Sequence, residues 1–131
     1  MRWLLLLGAE ARYPDTLEAA RIALSTFGEL QPLTGERLMT DAAGSGRAYR
    51  NQLVSLAHDA PRAALVEACK RIERELGRGT LDGVPLDIDV LACADGRAWR
   101  PDPHATAKGE FDAVHVRVLL DEAGLMFPRN A

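Results

Sequence analysis

The sequence predicts an α+β domain of the ferredoxin-like class, β-α-β-β-α-β, an antiparallel sheet with its helices on one face. Three observations carry this expectation. The chain opens on the apolar run Trp3-Leu4-Leu5-Leu6-Leu7, two stretches with helical spacing of apolar residues follow, and both alternate with strand-like segments bounded by Gly and Pro. At 131 residues the whole chain, 1–131, fits one domain around one core.

Arg2 to Leu7, stopped by Gly8, reads as a central strand buried on both faces. The run is shorter than the roughly 7–15 apolar residues of a signal-peptide core, and Glu10 and Arg12 follow at once. Pro14 opens a helix carrying Leu17, Ala20, Ile22, Leu24 and Phe27, with Gly28 as its stop. Leu30 to Met39 is mostly polar and interrupted by Pro32 and Gly35, which suits an edge or twisted strand. Asp41 to Ala48 is a loop of small residues, flexible by composition. Tyr49 to Ala57 alternates as a strand does, although neither of its faces is uniformly apolar. From Pro61 to Leu76 the residues Ala64, Leu65, Ala68, Cys69, Ile72 and Leu76 follow helical spacing, and Gly77 ends the run.

Gly79 to Val84 is a short loop before the strand Pro85 to Cys93. Asp95-Gly96 signals a tight turn, so Ala98, Trp99 and Arg100 form a short returning strand. A loop with Pro103 and His104 leads to Phe111–Leu125, which periodicity leaves open as one helix or as a strand and a helix.

A formal net charge of −3 gives no electrostatic reason to expect nucleic acid or an anionic membrane as partner. No apolar stretch approaches the roughly 18 residues of a membrane helix. Cys69 and Cys93 are too few for a disulfide scaffold and read as reduced, buried thiols of a cytoplasmic protein, Cys69 being poorly placed for a nucleophile. Gly44-Ser45-Gly46 lacks the ending of a phosphate-binding P-loop, and His58, His104 and His115 are too dispersed for a zinc pattern.

The most specific feature is Leu86-Asp87-Ile88-Asp89-Val90. Strand alternation points Leu86, Ile88 and Val90 to one face and both carboxylates to the other, their Cβ atoms roughly 6–7 Å apart. Spacing alone leaves two readings open. One is an amphipathic strand with a solvated acidic face. The other is a site for a hard cation such as Mg²⁺, which takes one or two carboxylates together with substrate phosphates.

Around this strand lie Tyr49-x-Asn51, Arg71-Ile72-Glu73 with Gly77-Arg78, and Pro103-His104. In order and in most spacings this set resembles the hydroxymethyl-dihydropterin pyrophosphokinase family, best between Tyr49 and His104. The resemblance implies Mg²⁺-dependent transfer of pyrophosphate from ATP to a pterin-like substrate, with AMP leaving. It makes Asp87 and Asp89 the metal ligands, Arg78 the first arginine of a mobile catalytic loop, and Asn51, with Tyr49, the contact to the pterin. His104 falls in the nucleotide-binding region, and so does Glu73, which by position also supports its helix and the loop after it. Trp99, Tyr49, Phe111 and Phe127 are the aromatics available to stack on a pterin ring.

Departures from the family pattern cluster where it handles the reacting phosphates. Gly8-Ala9-Glu10 stands for Gly-Ser-Asn, the loop before the acidic strand is cut to Gly79–Val84, and its expected arginine is absent. Lys108-Gly109-Glu110-Phe111 is the nearest stretch to the family's Asn-Arg-Gly-Phe-type segment, and Lys108, Arg100 and Arg117 are the basic residues left to substitute. Two function classes therefore stand side by side: a divergent, loop-trimmed pyrophosphokinase, and a non-catalytic pterin-, nucleotide- or partner-binding descendant. A ligand-free interaction domain is a third.

Overall fold

The computed structural model describes residues 1–40 and 45–129. The elements run β1 (Arg2–Glu10), α1 (Thr16–Leu24), β2 (Leu30–Pro32), β3 (Arg37–Thr40), β4 (Ala48–Ala57), α2 (Arg62–Glu75), β5 (Asp87–Ala94), β6 (Trp99–Pro101), α3 (Pro103–Ala107), a 3-10 turn (Glu110–Asp112) and α4 (Val114–Ala123). The six strands form one antiparallel sheet in the order β2-β4-β1-β5-β6, with β3 also paired to β4. The order of the longer strands and the α+β layering are those the sequence predicts.

β1 lies at the centre because its apolar run can be covered on both sides. Trp3, Leu5, Leu7 and Ala9 pack with Leu17, Ala20 and Leu24 of α1 and with Leu65, Cys69 and Ile72 of α2, joined by Leu86, Ile88 and Val90. Leu4 and Leu6 point the other way, into a second core with Leu53, Leu91, Phe111, Val116, Leu119, Leu120 and Phe127. The two helices of the β-α-β-β-α-β unit share one face, as expected. The C-terminal segment adds a further layer on the opposite face, which resolves the open reading of Phe111–Leu125 in favour of helix. It also explains why β4 has no polar face: Asn51 through Leu56 are buried on both sides.

Several boundaries differ from the sequence reading for local reasons. Leu30–Met39 is two strands, because Pro32 cannot donate to the ladder and the chain bends after it. Thr34 takes over there, its Oγ1 accepting from Leu53 N at 3.1 Å. The first helix starts at Thr16 and ends at Leu24, and Ile22 faces water. Pro85 and Leu86 are buried but precede the strand pairing. Residues 103–107, read as loop, form α3, capped by Asp102 with Pro103 in its first turn. Cys93 is only partly buried, and Cys69 is buried as expected. Of the small-residue loop, 41–44 lie outside the described residues.

Candidate active site

The site is set by strand register. Gly8 of β1 pairs with Asn51 of β4 on one side and with Asp87 of β5 on the other, so these residues form a row across three strands on the face away from α1 and α2. One step along, Leu6 pairs with Leu53 and Asp89. Gly8 leaves open the space between the carboxamide and the carboxylate. A Cβ there would stand 2.9 Å from Asn51 Oδ1, so any larger residue would press on Asn51.

This row floors a cavity of about 1010 Å³, whose walls include Tyr49, Asn51, Arg78, Asp87 and Asp89. A smaller cavity of about 190 Å³ opens between α2, α3 and the uncovered edge of β5, and takes in Glu73, Lys70, His104 and Lys108. Asp87, Asp89 and Glu110 line both cavities. The seven site residues expected from the sequence thus fall into two neighbouring hollows with the acidic pair on their common wall.

Each carboxylate of the pair meets a cation, and the two cations come from opposite sides. Arg78 Nη1, in the larger cavity, lies 3.3 Å from Asp87 Oδ1 and also donates to Leu86 O at 3.0 Å. Lys108 Nζ, in the smaller one, lies 3.5 Å from Asp89 Oδ1. Burial first, then the charge and hydrogen bond of Asp87 and the charge of Glu110, push Asp89 up to about 7, with Lys108 opposing. The Asp89 charge in turn raises Lys108. Glu73 Oε2 accepts from Ile88 N at 2.8 Å, fastening α2 to the edge of β5, and burial raises its carboxyl. The sequence suggests that Glu73 supports its own helix or the loop after it; this bond reaches past that loop to β5, and the residue also lines the smaller cavity.

The departures acquire structural accounts. Glu10 is buried, and its Oε2 accepts from Val84 N while its own N–H donates to Val84 O at 2.9 Å. The Val84 N–H holds the Glu10 carboxyl below the usual range. Tyr13 Oη donates to Asp82 O, and Gly83, at φ 70°, lies so close under Glu10 and Arg12 that a Cβ would collide with both. The shortened 79–84 loop is therefore clasped to the end of β1 by the residue that replaces the family's asparagine.

Among the basic substitutes, Arg117 is engaged by the carbonyls of Phe111 and Phe127 at 3.2 and 2.7 Å, and neither it nor Arg100 lines either of these two cavities. Lys108 does. Of the four aromatics only Tyr49 lines the larger cavity. Phe111 and Phe127 are buried and stack on each other with centroids 4.9 Å apart, and Trp99 lies under Arg2, 5.3 Å from ring centroid to guanidinium carbon. Cys69 sits at the smaller cavity, but burial, then Glu73 and Asp89, push its thiol up to about 12, so it is no nucleophile.

Glu110 and His115, missing from the sequence-based site, line the larger cavity. Glu110 Oε2 is buried and makes no hydrogen bond among the described residues. Only the turn at Gly109 and the position of α4 bring these two residues to the strand, and no short-range spacing encodes that. The Asp102-Pro103 dipeptide is a helix-start signal that does encode α3.

A model of the 7,8-dihydro-6-hydroxymethylpterin-pyrophosphokinase (HPPK) family matches residues 4–122. The chain belongs to the HPPK family. The match extends beyond the Tyr49–His104 stretch on which the resemblance rests, reaching β1 and α4. No curated protein matches the chain. Among the described residues no helix is long and apolar enough to cross a membrane.

Proposed function

We propose that this HPPK-family chain transfers a pyrophosphoryl group from ATP to the hydroxymethyl group of a dihydropterin-like substrate, with Mg²⁺ held by Asp87 and Asp89. The observation that carries the proposal is the position of the acidic pair on the wall common to two cavities. Nucleotide phosphates at the smaller cavity and a heterocycle in the larger one would meet at the same two carboxylates.

The donor set suits Mg²⁺. No three His, Cys, Asp or Glu side chains converge among the described residues, as a closed protein cage would require. Mg²⁺ instead takes one or two carboxylates and completes its shell with water and phosphate. The unpartnered Oε2 of Glu110 beside the pair adds negative potential that favours a cation there. When bound, the ion supplies the positive charge that offsets the phosphates during transfer.

The chain's own residues would bind and orient. The Asn51 carboxamide offers donors and an acceptor to a heterocycle edge, and Gly8 leaves room for that edge against the sheet. Tyr49 supplies an aromatic wall. His104 and Lys70 face the nucleotide side, and Arg78 guards the pterin side of Asp87. The substrate hydroxyl attacks the β-phosphorus, its proton passes to solvent, the bond from that phosphorus to the α–β bridging oxygen breaks, and AMP departs with that oxygen. Asp87 and Asp89 act as ligands, with no acid–base role.

The non-catalytic reading is favoured by one observation: an acidic residue, Glu110, stands in the stretch where the family pattern carries an arginine, beside carboxylates that phosphates must approach. Calorimetric titration with α,β-methylene-ATP, with and without Mg²⁺ and 6-hydroxymethyl-7,8-dihydropterin, tests the proposal. Nucleotide binding should require Mg²⁺ and weaken at least about tenfold in Asp87→Ala, as metal-site substitutions typically do. Metal-independent binding, or an unchanged Asp87→Ala, would rule the assignment out.

A further inference from the structure

We infer that Lys108 is a phosphate-binding residue which, in the metal-free protein, occupies Asp89 as an exchangeable counter-ion. The inference rests on the proposed function, with the nucleotide's phosphates at the smaller cavity and Mg²⁺ at the acidic pair.

Three basic side chains line that cavity: Arg62, Lys70 and Lys108. Arg62 is committed, its Nε and Nη2 donating to the two oxygens of Asp102 at 2.6 and 2.9 Å. Among the three, Lys108 alone makes an ion pair with a carboxylate of the acidic strand, at 3.5 Å from Asp89 Oδ1. The pair is asymmetric: the Lys108 side chain is 46% exposed and that of Asp89 20%. The carboxylate is fixed in the sheet, whereas the ammonium swings on a flexible four-carbon stem.

A divalent ion at Asp89 would compete with the ammonium for the same oxygen and repel it. Its nearest new partners are the phosphates that arrive with the ion. The backbone favours this exchange. Asp102 caps α3 by accepting from Ala105 N at 3.2 Å, and Lys108 N donates to His104 O at 3.0 Å as the helix closes. His104 and Lys108 are thus one turn apart and both line the smaller cavity. Arg78 has no such freedom, since Leu86 O holds it on the other side. Lys108 therefore supplies, from the C-terminal cap of α3, part of the positive charge missing from the trimmed loop.

The test is calorimetry on wild type, Lys108→Met and Lys108→Arg, first with MgCl₂ alone and then with α,β-methylene-ATP at saturating Mg²⁺. Removal of a competing cation should tighten Mg²⁺ binding by about threefold or more in Lys108→Met, while loss of a phosphate partner weakens nucleotide binding about tenfold. Lys108→Arg should keep nucleotide affinity within about threefold of wild type. Where the wild type binds Mg²⁺-nucleotide and Lys108→Met matches it in both titrations, Lys108 has no such role and the proposed function stands. A parallel fall in Mg²⁺ and nucleotide affinity would mean that Lys108 merely supports the carboxylates, which also overturns the inference. If the wild type itself binds no nucleotide, the proposed function fails and this role fails with it.

Discussion

Asp89 is a carboxylate that water reaches only in part, beside a second carboxylate and near a third, and its titration is the most readable consequence of the site. Its value in the folded chain, about 7, lies above the ordinary 3.8. Between those values the folded protein holds a proton that the unfolded chain has released, so this group stabilises the fold on the acid side. The contribution is lost as pH rises through about 7. Glu73, also raised by burial, acts in the same direction. Asp102 and Glu10 are lowered and act oppositely, but only where pH falls through their folded values, below the ordinary carboxylate range. Metal-free protein should therefore melt at a higher temperature at pH 5.5 than at pH 7.5, and Asp89→Asn should flatten that difference. Mg²⁺ binds the deprotonated form, so its affinity should fall by up to about tenfold per pH unit below about 7. A melting temperature that rises from pH 5.5 to 7.5 without metal would contradict the burial account of Asp89. The pairing of Asp87 with Asp89 on one face follows from the period of a strand and was legible in the sequence. Glu110, 21 residues beyond Asp89, was not, because only the packing of the turn before α4 brings it there.

Among the elements, the five-residue α3 is tied to α2 by the Arg62–Asp102 pair, whose arginine lines the smaller cavity. The Asp102 side chain is only 4% exposed, so removing its partner leaves a buried charge with backbone donors alone. Arg62→Ala should cost about 2 kcal/mol of stability, with Arg62's own partial exposure keeping it below the 3–5 kcal/mol typical of a fully buried pair. Asp102→Ala should cost about as much, through the lost helix cap and the unpaired arginine. Chemical denaturation of both single variants and the double variant checks this. The double variant should be less destabilised than the sum of the singles, and strict additivity would mean that the pair is not coupled. α1 and α2 were legible because a hydrophobic period runs through each, and β1 because its apolar run is unbroken. β2 and β3 were not separable, since the break depends on the Thr34 hydroxyl replacing a ladder acceptor for Leu53 N. α3 is hard to tell from a proline- and histidine-containing loop even though its Asp-Pro cap is a local signal, because five residues carry too little periodicity.

At the scale of the molecule, one sheet is covered on both faces, and the acidic strand lies where the two hollows meet. The sequence pointed to the metal-binding half of a pyrophosphokinase-like centre and left the cationic half open among Lys108, Arg100 and Arg117. Through-space geometry was needed to separate a lysine at the carboxylates from an arginine engaged by backbone carbonyls. The same geometry turns Glu10 from an unexplained charge into the clasp of the shortened loop. Pyrophosphoryl transfer depends on positioning and on positive charge near the phosphates, and Arg78, Lys70 and Lys108 are the cations available for it. The most direct measurement is AMP formation when the protein is incubated with ATP, Mg²⁺ and 6-hydroxymethyl-7,8-dihydropterin. The account predicts AMP release that requires both Mg²⁺ and the pterin and falls at least about a hundredfold in the double variant Asp87→Asn, Asp89→Asn, the loss typical of removing transition-state charge stabilisation. Mg²⁺-dependent binding of nucleotide and pterin with no AMP above a protein-free control would contradict it and leave a binding protein built on the HPPK fold.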